Sequence, residues 1–291
     1  MKIGVIGNGF VGNAVASGFI PLRETLLGST LLEVYVYDID KSKSPNTLEE
    51  TLQCNFVFVC LPTPMTDAEG GRCNLSLLEK FFDDVSKVET EAVFIIKSTV
   101  PVGTTDRMCE LYPHMKIAHN PEFLTAANAV HDFVNADRHV VGGELDVVCH
   151  VETLYKTYFP NTKIFTMKSK ESECVKYFAN CFLAAKVMVF NEMKMLCNNI
   201  DVDYNKILRG VGSDHRIGHS HTFVPGPDGD YGFGGTCFPK DINSLINIMI
   251  DNDVDPIVLK SVWEQNKNYR ENWDWSNNQS AVLKQSEEYR G

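Results

Sequence analysis

Cys237 lies within "GFGGTCFPKD", residues 232–241, two positions after a glycine pair and just before Phe-Pro-Lys-Asp. The glycines permit a tight backbone that a ligand can approach closely. Pro239 fixes its own φ and disfavours helix at Phe238. The following "KDINSLINIMI" has apolar residues at helical spacing, which predicts a helix starting near Lys240 or Asp241. Cys237 would then occupy a rigid loop at a helix N-terminus, with Lys240 three residues on. Helix dipole and cation both favour a thiolate there. A cysteine is also a small hydrophobe, so the rest of the chain must decide between nucleophile and core.

A second chemical signal opens the chain. "KIGVIGNGFVG" is an apolar strand running into Gly7-x-Gly9-x-x-Gly12, and "NAVASGFI" continues as a helix. In that context the glycines allow the turn, the approach of a pyrophosphate and close helix packing. Gly7, Gly9, Phe10, Val11 and Gly12 therefore form a dinucleotide-binding turn. "LEVYVYDID" reads as the next strand, ending in Asp38. A carboxylate there accepts from both adenosine ribose hydroxyls and repels a 2′-phosphate, favouring NAD over NADP. Lys41 and Lys43 pull the other way. The stretch "PLRETLLGST" places Asp38 further from the glycines than the usual spacing of about 20 residues.

A third signal is a face of the long helix "SKESECVKYFANCFLAAKVMVFNEMKMLCNNI". Glu173, Lys176 and Asn180 recur at i, i+3 and i+7 and share one side. Cys181, Phe182 and Ala185 form the apolar surface beside it. Such a polar stripe is either a solvated face or the wall of a site.

The elements that must position these residues follow from periodicity. Up to about residue 160, buried strands alternate with helical segments, which implies a Rossmann-type α/β fold with a parallel, doubly wound sheet. Ligands bind such sheets at the carboxyl ends of the strands. "LPTP", "STVPVGTT" and "NPEFL" sit at those ends, so Pro62, Thr63, Thr99 and Glu122 are expected at the cofactor crevice. From about Asn161 the alternation stops and the segments are helical. The expected organisation is a nucleotide-binding domain over 1–160, an all-helical dimerisation domain over 161–275 and a frayed polar tail over 276–291.

Composition narrows the partners. A net charge of -11 over 291 residues lacks the basic stripe of a nucleic-acid surface. No apolar run approaches the roughly 18 residues of a membrane span. The N-terminus lacks the apolar core and cleavage site of a signal peptide. The nine cysteines include no C-x-x-C pair, and several lie in apolar segments, so reduced thiols in the cytoplasm are expected. His215, His219 and His221 lie in a glycine-containing loop with no matching carboxylates, and no metal is expected.

The segments "GVIGNGFVG", "LPTP", "KSTVPVGTT", "NPEFL", "KYFANCFLAAKVMVFNE", "SDHRIG" and "GFGGTCFPKD" occur in this order up to about residue 270. Together they resemble the UDP-glucose/GDP-mannose dehydrogenase family. The resemblance implies a four-electron oxidation of a nucleotide-sugar C6 alcohol to a carboxylate with two NAD. It implies that Cys237 holds the aldehyde as a thiohemiacetal and then as a thioester that water hydrolyses. It gives Asp241 the positioning of water and Lys176 the stabilisation of alkoxide and oxyanion, with Asn180 as hydrogen-bonding partner. Glu122 and Thr99 match the pair associated with water and proton transfer. Phe123, Leu124, Phe233, Gly234 and Gly235 match substrate contacts. Arg216 matches an arginine that reaches the substrate of a neighbouring subunit, so a homodimer built on the helical region is implied.

After "NPEFL" the sequence continues "TAANAV", where the family usually carries an arginine or acidic residue. Family members also continue with a second Rossmann-like domain, whereas this sequence stops after the connecting helix. The expectation is that NAD binding persists while substrate binds weakly unless a separate chain supplies that domain. Two other readings share the plan: a β-hydroxyacid-type dehydrogenase, which needs no catalytic cysteine, and a catalytically silent NAD-binding or dimerisation protein.

Overall fold

The computed structural model describes residues 1–20, 32–125 and 127–283. The element order is β1 (Lys2–Ile6), α1 (Phe10–Phe19), β2 (Glu33–Tyr37), α2 (Leu48–Leu52), β3 (Phe56–Val59), α3 (Ser76–Val85), β4 (Val93–Ile96), α4 (Thr104–Leu111), β5 (Lys116–His119), α5 (Ala129–Val134), β6 (Arg138–Gly143), α6 (Leu145–Tyr158) and β7 (Lys163–Met167). Four longer helices follow: α7 (Ser169–Asn199), α8 (Tyr204–Gly212), α9 (Cys237–Asp251) and α10 (Ile257–Tyr269). The stretch "PLRETLLGST" lies outside the described residues.

The chain forms two compact units. The first holds Met1–Thr63 and Leu75–Lys176; the second holds Pro64–Asn74 and the described residues from Tyr177 on. In the first, one mostly parallel sheet has the order β2-β1-β3-β4-β5-β6-β7. β3 and β4 are buried throughout, as strands are when helices cover both faces. Their side chains divide with a period of two. Phe56, Phe58, Val93 and Ile95 enter one core with Ile3, Phe19 and Tyr155. Val57, Val59, Phe94 and Ile96 enter the other with Leu78 and Phe82.

Two features correct the sequence expectation for this sheet. β6 runs antiparallel to β5, so the sheet is not wholly parallel. β7, in the region read as helical, pairs parallel with β6. As a partly exposed edge strand, "KIFTM" carries no continuous buried run that would announce it.

α7 runs through the boundary between the units, and its first two turns belong to the first. Glu173 caps the start of α4, accepting from the Gly103 N–H at 2.5 Å, the Thr105 N–H at 2.8 Å and the Thr105 hydroxyl at 2.7 Å. The Ser172 hydroxyl meets His119 Nδ1 at 2.8 Å. The polar stripe is thus interior: Glu173, Lys176 and Asn180 are all buried.

In the second unit, residues 64–74 form an arm against the C-terminal segment. Trp263 Nε1 donates to the Glu69 carbonyl and Trp275 Nε1 to that of Ala68. Met65 pairs with Ala281 and Leu283 through its backbone. The expected fraying therefore fails for residues 277–283, where Ala281 and Val282 are buried; residues 284–291 lie outside the described part. No helix among the described residues is long and apolar enough to cross a membrane.

Candidate active site

The three glycines of the opening turn have three different tasks. Gly7 has φ +87°, a left-handed conformation that favours glycine. A Cβ at Gly12 would lie 1.8 Å from the Gly7 carbonyl oxygen, so this glycine serves the packing of α1 on the turn. A Cβ at Gly9, the N-cap of α1, would meet nothing within 4 Å. Open space before a helix N-terminus is where a pyrophosphate fits, and the turn passes this test for NAD.

Asp38, just after β2, accepts from the Asn8 N–H at 2.6 Å and the Asp40 N–H at 2.9 Å. The glycine turn and the acidic residue are thereby tied together. Lys43 is directed to Asp40 at 3.5 Å. The ends of β3 and β4 are joined by the Thr63 hydroxyl, which donates to the Thr99 carbonyl at 2.7 Å. Both threonines are buried, while Pro62, just before Thr63, is exposed.

Beyond β5, the Lys176 ammonium donates to Glu122 Oε1 at 2.8 Å and to the Glu122 carbonyl at 2.6 Å. The other carboxylate oxygen accepts from the Leu124 N–H at 2.6 Å. Burial alone would raise the Glu122 pKa, but the Lys176 charge and these hydrogen bonds outweigh it and leave it below the ordinary carboxylate value. The Phe123 ring has Lys176 at 5.3 Å and Arg138 at 4.6 Å. Behind the turn, buried Lys97 donates to Asn120 Oδ1 at 2.8 Å. Its desolvation brings its pKa down to about 8 despite the nearby Cys60 and Glu122. Lys97, Glu122, Arg138 and His139 line a cavity of about 180 Å³. A larger one of about 780 Å³ opens among Met1, Phe56, Val93 and Lys116, at the opposite strand ends, and contains none of the expected site residues.

In the second unit, Cys237 is the first residue of α9 and is half-buried. The helix starts earlier than the sequence predicts because proline is tolerated in a first turn, where its missing N–H costs no bond. Lys240 and Asp241, both buried, form an ion pair. Burial would lower the Lys240 pKa, but the charges of Asp241, Cys237 and Cys73 raise it above the ordinary value. The other Asp241 oxygen accepts from Asn180 Nδ2 at 2.6 Å. Ammonium, carboxylate and amide thus form one connected group, and the Cys237 thiol, one turn before Lys240, is near enough for its charge to act on the ammonium. Burial pushes the Cys54 and Cys60 thiols up to about 12 and Cys109 to about 11.

The glycine pair before Cys237 divides as the first turn did. Gly235 has φ +74° and an open face, whereas a Cβ at Gly234 would lie 2.4 Å from Asp274 and 2.6 Å from Arg270. Sequence reading took both as room for a ligand; Gly234 makes room for the protein's own side chains. Phe233 is buried against Phe238 and Trp263. Arg216 lies exposed and paired with Asp214. Sequence reading missed Lys97, Arg138, Asn266, Arg270 and Asp274. Only the spacing of four between Asn266, Arg270 and Asp274 could have drawn attention to them. Among the described residues, no group of three His, Cys, Asp or Glu side chains could hold a metal.

Comparison with known proteins decides the family. Residues 20–159 match the model described as the UDP-glucose/GDP-mannose dehydrogenase family, NAD binding domain, and residues 170–268 match the central domain of that family. The UDP-glucose 6-dehydrogenase of Rickettsia prowazekii is 32% identical over 92% of this chain and 67% of its own length. The chain belongs to the UDP-glucose/GDP-mannose dehydrogenase family. Its first unit carries the NAD-binding domain of these NAD-dependent nucleotide-sugar dehydrogenases. A UDP-glucose dehydrogenase from Pyrobaculum islandicum superposes with a TM-score of 0.78 at 27% identity, covering 92% of this chain and 68% of that one. The fold alone is shared with a 3-hydroxyisobutyrate dehydrogenase of Mycobacterium tuberculosis, with a TM-score of 0.70 at 15% identity and coverage of 92% and 93%. The chain spans about two thirds of the length of its dehydrogenase relatives, 67% for Rickettsia prowazekii and 65% for Rickettsia felis.

Proposed function

We propose that the chain takes part in oxidising the C6 alcohol of a nucleotide sugar, UDP-glucose, to the carboxylate, giving UDP-glucuronate, with Cys237 holding the intermediate. The observation that carries this reading is Cys237 as first residue of α9, one turn before the buried, bonded group Lys240–Asp241–Asn180. A cation and a helix N-terminus next to a half-buried thiol are the conditions under which a thiolate is stable. A β-hydroxyacid-type dehydrogenase has no use for this thiol, and a silent binding protein has no use for the buried charges around it.

Bound NAD supplies a hydride acceptor, used twice per substrate. The remaining work falls to side chains. Lys176 stabilises the alkoxide oxygen when O6 gives up its proton. The Cys237 thiolate adds to the aldehyde carbon, forming a C–S bond and a thiohemiacetal, so the aldehyde cannot leave between oxidations. The second oxidation gives a thioester. Water, oriented by Asp241 and deprotonated through Glu122 and Thr99, adds to its carbonyl; the C–S bond breaks and the thiolate returns. The net change is alcohol, two NAD⁺ and water to carboxylate, two NADH and three protons. Gly7, Gly9, Phe10, Val11, Gly12, Asp38, Pro62, Thr63 and Thr99 receive the cofactor. Phe123, Leu124 and Gly235 flank the sugar nucleotide, in part through backbone groups. An apolar stripe on α7, containing exposed Phe178, Phe182, Val189 and Leu196, supports a homodimer in which Arg216 serves the neighbouring subunit.

NADH absorbance followed with NAD and a panel of nucleotide sugars tests the reading. Two NADH per UDP-glucose oxidised are expected at saturating substrate, with Cys237→Ser binding NAD by calorimetry but forming no acid. Acid formation by Cys237→Ser, or iodoacetamide labelling of exposed Cys149 ahead of Cys237, would refute it.

A further inference from the structure

Three polar side chains outside every motif above, Asn266, Arg270 and Asp274, hold the backbone that leads into Cys237. Asn266 Oδ1 accepts from the Phe233 N–H at 2.7 Å, and its Nδ2 donates to the Phe233 carbonyl at 3.0 Å. One amide thus binds one residue at both ends, as a neighbouring strand would. Arg270, 5% exposed, donates to Asp228 at 2.9 Å, to Asp274 at 3.3 Å and to the Tyr231 carbonyl at 3.3 Å. Asp274 Oδ2 accepts from the Gly235 N–H at 2.9 Å. The glycines make this approach possible: a Cβ at Gly232 would lie 2.3 Å from Asn266 Oδ1.

The start of α9 depends on this arrangement. A helix usually begins after an extended residue whose side-chain oxygen caps a free N–H. Thr236, the N-cap here, has helical backbone angles, φ -93° and ψ -26°, and makes no capping bond. Thr236 therefore does not stop the helix. Gly235 does, because its φ of +74° is incompatible with a further helical residue, and Asp274 holds Gly235.

We propose that Asn266, Arg270 and Asp274 are positioning residues for Cys237: by fixing residues 231–235 they make it the first residue of α9. The inference rests on the nucleophile reading above. Without the tie to Gly235 the helix can gain or lose residues at its start, and the thiol leaves the place where the helix end acts on it. That influence fades within the first turn, so a loss of about three- to tenfold in reactivity follows.

The test uses the full chain without NAD and compares the initial iodoacetamide alkylation rates of Cys237 and Cys149 in the same molecules by mass spectrometry. Exposed Cys149, on α6, is the internal reference. Asp274→Ala is expected to lower the Cys237:Cys149 ratio at least threefold, while far-ultraviolet circular dichroism and melting temperature stay as in the wild type. Asp274→Asn keeps an acceptor for the Gly235 N–H and is expected to restore at least half of the ratio. Should Asp274→Ala fail to fold, Asn266→Asp, which keeps the acceptor and loses the donor, is expected to lower the ratio at least twofold. A ratio that is unchanged or higher, or an Asn variant as slow as the Ala variant, overturns the inference. A wild-type ratio below one counts against the nucleophile reading instead; the change on mutation still reads the positioning role.

Discussion

Replacing Lys176 by methionine should reverse the response of the first unit to acid. In the wild type, the ammonium lies 2.8 Å from the Glu122 carboxylate and both groups are buried. The pair holds the Glu122 pKa below its ordinary value. A carboxyl lowered in this way contributes stability that is present above the ordinary pKa, about 4.3, and is lost as pH falls through the folded value. Methionine keeps the volume and removes the charge. Glu122 then becomes an uncompensated buried carboxylate, and its carbonyl loses a donor at 2.6 Å. Breaking a buried pair from one side costs about 3–5 kcal/mol at neutral pH. Burial, previously outweighed, now raises the Glu122 pKa above the ordinary value. Stability should therefore rise as the solution is acidified from pH 7, by up to about 1.4 kcal/mol per pH unit for the one proton taken up. Urea unfolding followed by far-ultraviolet circular dichroism between pH 7.5 and about 5 measures this slope. Trp263, Trp273 and Trp275 all lie in the second unit, so their emission reports the unfolding of that unit separately. A variant that loses under about 1 kcal/mol, or that weakens on acidification as the wild type does, would refute the reasoning.

Three further outcomes follow from the same geometry. Gly9→Val should leave the melting temperature unchanged and lower NAD affinity at least tenfold in calorimetry, because its side chain enters open space; Gly12→Ala should instead destabilise the fold by about 1–3 kcal/mol or more, and the opposite pattern would reject the assignment of the turn. Lys97, with its pKa down at about 8, sheds its proton in the folded state before the unfolded chain does, so its burial costs about 3 kcal/mol below pH 8 and the cost fades as pH rises toward 10.4. Lys97→Met should therefore be more stable than the wild type at pH 7 and lose that advantage by pH 10, since Asn120 Oδ1 still accepts from Tyr155; a pH-independent difference in denaturant midpoints would contradict this. Phe182→Glu, placing a charge on the apolar stripe of α7, should convert a dimer to a monomer in sedimentation, and a wild-type chain that is already monomeric at micromolar concentration would remove the dimer and the Arg216 role together.

What the sequence determined by itself was local. The strand–turn–helix around Gly7 and Gly12, and the nearness of Cys237 and Lys240 to a helix start, involve residues a few positions apart. Within that range, backbone stereochemistry and side-chain periodicity leave little choice. Tertiary structure decided whatever depended on distant partners. The direction of β6 and the pairing of β7 depend on which strand edge they meet, information that no short window contains. Residues 64–74 entered the second unit because Trp263 and Trp275 take their carbonyls as acceptors across about two hundred positions of sequence. The Glu173–Lys176–Asn180 face could be read as solvated or as the wall of a site. Its burial was settled by Gly103, Thr105, Glu122 and Asp241, each between 54 and 70 positions away. Glycine itself was ambiguous in the same way. Gly9 and Gly235 face open space, while Gly12 and Gly234 are filled by neighbouring atoms, and the difference lies in what the fold brings opposite a missing Cβ.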